Sequence, residues 1–129
     1  MIKKIKVVIA DDLEPILLYL EKLISEVPEF EIVGKAKNGK ELIDLVRENK
    51  PDLVITDIQM PYYDGIQAIE QIHKLGIKCK YILITSSSNY IITCKAQQLG
   101  ILKVIKKPIL DNNMFINQIK EILNRENNE

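Results

Sequence analysis

No tryptophan occurs in this 129-residue chain, and histidine appears once, as His73. Cysteine is nearly absent: Cys79 and Cys94 have no CxxC spacing and no histidine beside them. Structural zinc needs four converging nitrogen or sulfur ligands, so that chemistry is set aside. The two thiols fit a reduced, intracellular protein, with a disulfide between them left open. Lacking tryptophan, the chain offers little to flank a flavin ring, although Tyr62 and Tyr63 follow an apolar run. Net charge is missing as well. Lys plus Arg is 18 and Asp plus Glu is 18, which argues against the broad basic surface of a nucleic-acid binder. Lysines gather locally at Lys3, Lys4 and Lys6 and at Lys103, Lys106 and Lys107; such clusters on a neutral chain read as solvated faces. No apolar run approaches the length of a membrane span. No long apolar segment follows the lysines of M-I-K-K-I-K. The expectation is a soluble, cytoplasmic protein with no membrane partner.

What is present is enough for one folded domain. The chain is 47% hydrophobic and 28% charged, the composition of a globular protein with a real core. Its pattern alternates. I-K-V-V-I-A (5–10) reads as a strand, and Glu14-Pro15 opens a helix, since proline is tolerated in the first turn. Ile16, Leu17, Leu20, Leu23, Ile24 and Val27 recur at helical spacing, with Leu18 opposite them and exposed. Phe30, Ile32 and Val33 make a second strand. Asn38 caps a helix carrying Leu42, Ile43, Leu45 and Val46, and Pro51 stops it. L-V-I-T-D (53–57) is a third strand. Asp64-Gly65 begins a helix with Ile66, Ile69, Ile72 and Leu75 on one side. Y-I-L-I-T (81–85) is a fourth strand, and the helix after S-S-S-N-Y (86–90) ends at Gly100. L-K-V-I-K-K (102–107) is a fifth strand closed by Pro108. Asp111 caps a last helix with Met114, Phe115, Ile119, Ile122 and Leu123, and the polar residues 124–129 should fray. Five βα units in succession predict an α/β fold, a mostly parallel sheet with helices on both faces.

In such sheets ligands sit at the carboxyl ends of the strands. The first strand ends in Asp11-Asp12, the third in Asp57, the fourth in Thr85-Ser86 and the fifth in Lys107-Pro108. If the first and third strands are neighbours, three carboxylates converge. Like charges about 4 Å apart repel by roughly 1 kcal/mol in water and by several times that in a less polar cleft. The acids therefore need a cation or protons. An all-oxygen site with few carboxylates and open water positions suits Mg²⁺ better than a calcium cage. Lys107 offers a point charge to a phosphoryl oxygen, and Thr85 offers a hydroxyl. The set reads as a phosphoryl site with Asp57 as the nucleophile. Taken singly, Asp11 is a polar cap after a strand, Lys107 a solvated lysine and Thr85 an ordinary strand residue. Their shared edge is what raises the functional reading.

Over nearly its whole length the chain resembles the receiver domain of bacterial two-component response regulators. The residues that carry the likeness are I-A-D-D, D-I-Q-M-P-Y-Y-D-G, L-I-T-S and K-K-P, in order and at the right spacing. The resemblance implies a doubly wound, flavodoxin-like (βα)5 sandwich of strand order 2-1-3-4-5 over a single domain, residues 1–129, with 124–129 a polar tail. It implies that Asp57 accepts a phosphoryl group from a histidine kinase. Asp12, Asp57 and the Gln59 backbone carbonyl would bind Mg²⁺ directly, with Asp11 acting mainly through water. Thr85 and Lys107 would contact the phosphoryl group, and Lys107-Pro108 would be a cis peptide. Gln59 and Ser87 would help set the phosphoryl lifetime. A DNA-binding output domain or an output protein, and a homodimer, are further implications; this domain itself would not read nucleic acid.

Two departures stand out. Val104 occupies a position, three before Lys107, that usually holds an aromatic residue in this family, so half of the familiar switch is missing. Tyr62-Tyr63 is bulky beside the site, and either shields it, contacts a partner, or is merely exposed. Leu18 is a candidate for kinase docking. Tyr90, Ile91 and Cys94 are read as core packing in preference to an output surface, and His73 as a surface residue. Three rival functions remain at this stage. An aspartate-nucleophile phosphatase would carry D-x-D at its first strand, and here the acids are adjacent. A pseudo-receiver would keep the fold without phosphorylation, and a stand-alone receiver would relay the phosphoryl group onward. F-E-I-V-G-K-A-K-N-G favours a transcription factor's receiver, so the chain is expected to control transcription and not to be an enzyme.

Overall fold

The computed structural model describes residues 3–86 and 89–127. Five strands alternate with five helices: β1 (Ile5–Ala10), α1 (Glu14–Ser25), β2 (Phe30–Ala36), α2 (Gly39–Asn49), β3 (Leu53–Asp57), α3 (Gly65–Lys74), β4 (Lys80–Thr85), α4 (Tyr90–Gln98), β5 (Lys103–Lys106) and α5 (Asn112–Asn127). All strand pairs are parallel and the order is β2-β1-β3-β4-β5. The doubly wound architecture and its order are as expected. The expected fifth strand is shorter by one residue at each end. The polar residues expected to fray instead continue α5 as far as Asn127.

The strands are buried on both faces, which is why they read as unbroken apolar runs. Val8, Ala10, Val54, Tyr81 and Leu83 pack toward α2, α3 and α4. Val7, Ile9, Leu53, Ile55, Ile82 and Ile84 pack toward α1 and α5. Alternate residues thus serve opposite layers, as a two-residue period requires.

Polar side chains start the helices where the sequence predicts. Asn38 accepts from the Glu41 amide, Asp64 from Gln67, and Asp111 from Met114, at 2.7–3.0 Å. Asn89 does the same for α4, accepting from Ile92 at 3.0 Å.

Several apolar residues lie elsewhere than the helical spacing suggests. Leu75 caps α3 instead of joining its buried stripe and is 47% exposed. Met114 on α5 is exposed. Tyr90 and Ile91, read as core, are 81% and 68% exposed. They sit in the first turn of α4, beyond the reach of the sheet; of that helix only Ala96 is fully buried. Leu18 and His73 are exposed, as expected. The His73 ring lies 5.8 Å from that of Tyr81. No helix among the described residues is long and apolar enough to cross a membrane.

Candidate functional site at the carboxyl edge of the sheet

Because β1 pairs directly with β3, the residues that leave these strands meet. Asp11, Asp12 and Asp57 each bring a carboxylate oxygen within 4.8 Å of the others. Asp11 is buried to 1% exposure and Asp57 to 7%, whereas Asp12 faces solvent.

Backbone geometry holds each acid. The Asp11 amide donates to the Ala36 carbonyl at 3.0 Å, carrying the β1–β2 ladder one step past the strand. One Asp11 oxygen accepts from the Leu13 amide at 3.0 Å, and the other accepts from the Lys107 ammonium at 2.7 Å. Asp57 ends β3. Its Oδ1 accepts from the Ile58 amide at 2.8 Å, and its Oδ2 lies 3.3 Å from Lys107 Nζ. The Lys107 amide donates to the Thr85 carbonyl at 2.7 Å, so its side chain is aimed by the same ladder that ends β4. The bond between Lys107 and Pro108 is cis. Thr85 is buried at the end of β4, next to β3.

Lys107 is thus the internal counter-ion of the cluster, and it sits closer to Asp11 than to Asp57. Burial opposes its charge, but the Asp11 hydrogen bond and the charges of Asp57 and Asp11 outweigh that, and its pKa is raised. Asp57 is pushed the other way in stability terms. Burial raises its pKa first, Lys107 lowers it, and the neighbouring Asp11 raises it again; the net direction is up. One lysine does not neutralise three carboxylates. The surplus of negative charge, carried on oxygen donors alone, fits a hard divalent ion that keeps several waters.

Two glycines make the site compact: Gly65 was expected only to begin a helix, and Gly39 had no expected role. A Cβ on Gly65 would lie 2.3 Å from the Asp57 carbonyl oxygen, and one on Gly39 would lie 2.1 Å from that of Tyr63. The dipeptides N-G and D-G were the available signal, since glycine there permits close backbone approach as well as a turn. The Thr56 hydroxyl, also missed, donates to the Asp57 carbonyl at 2.9 Å beneath the site.

Val104 pairs with Leu83 and is half-buried against the α2–α4 layer, an aliphatic side chain in a packed setting. Gln59 and Tyr62 are exposed on the loop after β3. Ser87 lies outside the described residues.

The family model for the response regulator receiver domain matches residues 7–124. The chain belongs to this family. Among curated relatives, a protein-glutamate methylesterase/protein-glutamine glutaminase of Desulfotalea psychrophila is 32% identical over 108 residues, covering 82% of this chain and 30% of that protein. The receiver therefore spans about a third of the length of such relatives. Among solved structures, the response regulator domain of Thermotoga maritima CheB is 28% identical with a TM-score of 0.84, covering 95% of this chain and 98% of that one. A DNA-binding response regulator of the LuxR family from Staphylococcus aureus shares the receiver fold at 24% identity and a TM-score of 0.83, over 92% and 98% of the two chains.

Proposed function

We propose that this receiver takes a phosphoryl group on Asp57 from the phosphohistidine of a kinase. The observation that carries the proposal is the convergence of Asp11, Asp12 and Asp57 on one spot, with Lys107 bridging Asp11 and Asp57. An Asp57 oxygen attacks phosphorus, the P–N bond to the imidazole breaks, and an acyl phosphate forms. The reaction needs alignment and charge stabilisation more than acid–base chemistry. Asp12 and Asp57, the Gln59 backbone carbonyl, and Asp11 through water would hold Mg²⁺. When bound, that ion supplies positive charge to the transferring oxygens. Lys107 turns from Asp11 toward the phosphoryl oxygens, and the Thr85 hydroxyl donates to another.

The acyl phosphate then shifts a pre-existing equilibrium. Thr85 and the loop after it move, changing the surface of α4 and β5, where Tyr90 and Ile91 already stand exposed. Identical chemical shifts of α4 and β5 with and without a phosphoryl mimic would sink that part. Leu13 and Leu18, exposed on and before α1, offer the kinase an apolar footing near the acids.

The effector is carried elsewhere, in a cytoplasmic regulator. The F-E-I-V-G-K-A-K-N-G stretch favours transcriptional output, and the methylesterase relatives favour an enzyme effector. The receiver itself is a phosphoacceptor, not a turnover enzyme.

The test is intact mass after incubation with a small acyl phosphate, with and without Mg²⁺, beside Asp57→Asn. A metal-dependent gain of one phosphoryl group, absent in the variant, is expected. No gain under any condition replaces this reading with that of a non-phosphorylated binding module.

A further inference from the structure

The loop that leaves Asp57 is fastened at both ends. The Ile58 amide donates to Asp57 Oδ1, and the Ile58 carbonyl accepts from the Gly65 amide at 2.7 Å, where α3 begins. The Pro61 carbonyl accepts from the Gly39 amide at 3.3 Å, and the Tyr63 backbone lies against Gly39, where α2 begins. Between these anchors Tyr62 is held at φ 68, a left-handed conformation that costs a bulky residue energy. The residue as a whole is 81% exposed. Any change at Asp57 Oδ1 thus acts on a short, strained segment tied to the starts of α2 and α3.

That segment roofs a groove of about 590 Å³ between the two helices. Three large apolar side chains border it in partial or full exposure: Tyr62, Tyr63 and Leu75. Ile43 forms its floor. On α2 the lining positions 40, 43, 44 and 47 make one helical stripe, the spacing that a docked helix reads. Lys40 and Arg47 stand at the two ends of the stripe, exposed and without an ion-pair partner among the described residues. Seven residues separate them, roughly 10 Å along a helix. Asp44 lies between and would repel acid at the middle.

Resting on the phosphoacceptor reading, we propose that this groove is a second output surface, coupled to Asp57 through residues 58–64. Its occupant is a partner helix that places a leucine-like side chain against Tyr62 and Leu75, with carboxylates seven residues apart meeting Lys40 and Arg47. Tyrosine and arginine are the residue types that anchor such interfaces. The surface is separate from α4 and β5, and it needs no aromatic ring at Val104.

The test uses two synthetic helical peptides. One carries glutamates seven residues apart around a central leucine; the other has lysines in place of the glutamates. Binding to the whole chain is followed by amide chemical shifts, with and without a fluoroberyllate phosphoryl mimic and Mg²⁺. The glutamate peptide should shift α2 and α3 residues and bind about tenfold tighter with the mimic, a typical coupling. Leu75→Ala and Arg47→Glu should each weaken it about tenfold. Gly39→Ala, which drives a methyl into the Tyr63 carbonyl, should reduce the coupling. Equal binding of the two peptides, shifts confined to α4 and β5, or an affinity unmoved by the mimic would each overturn the proposal. So would self-association that Arg47→Glu abolishes, which makes a second copy the occupant. Failure of Asp57 to gain mass counts against the phosphoacceptor reading instead, because peptide binding to the unmodified chain is read separately.

Discussion

Asp57→Asn should stabilise the protein when no divalent ion is bound. Asp57 shares its site with two carboxylates that offer oxygens within 4.8 Å and with an ammonium at 3.3 Å. At an effective dielectric constant near 20, each acid repels it by about 3.5 kcal/mol and Lys107 attracts it by about 5 kcal/mol. The remainder is a net repulsion of about 2 kcal/mol, reduced toward 1 because Asp12 is exposed. Burial of the charge acts in the same direction. The amide of asparagine keeps an oxygen for the Ile58 N–H and carries no charge. At about 4 °C per kcal/mol for a chain of this size, the melting temperature should rise by about 4–8 °C in chelator. The pH dependence follows from the raised pKa of Asp57. A carboxyl that holds its proton more tightly when folded favours folding below its unfolded pKa. That advantage disappears as the pH climbs through the folded value. The gap between variant and wild type should therefore be full at neutral pH and close on acidification. Adding Mg²⁺ should raise the wild-type melting temperature more than that of the variant. A lower melting temperature for Asp57→Asn in chelator at neutral pH would refute the reasoning and show that Lys107 outweighs both acids.

The remaining predictions are simpler. Lys107→Met leaves the buried Asp11 carboxylate without its cation and should destabilise the protein by about 3 kcal/mol, measured by urea unfolding, with partial rescue by Mg²⁺. Gly65→Ala drives a methyl into the Asp57 carbonyl and should cost about 2 kcal/mol while slowing phosphoryl uptake in a mass time course. Tyr81→Phe should be neutral or stabilising by about 1 kcal/mol in the same unfolding assay. Its buried hydroxyl lacks a well-formed hydrogen bond, and the neighbouring Cys79 thiol is a weak partner.

Much of the architecture is local in origin, and local features are legible in a sequence. The strand and helix succession follows from apolar periodicity. The starts of α2, α3 and α5 follow from Asn38, Asp64 and Asp111, whose side chains satisfy amides only three residues on. That Asp11, Asp12, Asp57, Thr85 and Lys107 share an edge follows from parallel strands alone, because every strand then ends on the same side. The order of those strands did not follow from the residues; it came with the family resemblance.

Tertiary structure decided the rest. Periodicity marks an apolar face but not where the sheet ends, so Tyr90, Ile91, Leu75 and Met114 stand in solvent although their spacing matches buried neighbours. Glycine identity suggests a turn, yet only the packed loop shows that Gly39 and Gly65 are there to admit the backbones of Tyr63 and Asp57. The sequence places a lysine near three acids, but its closer pairing with Asp11 is a contact across 96 residues of chain. Short-range chemistry set which elements form and where they begin. Which charges meet, and which apolar side chains stay uncovered, depended on surfaces that exist only after the sheet and its helices have come together.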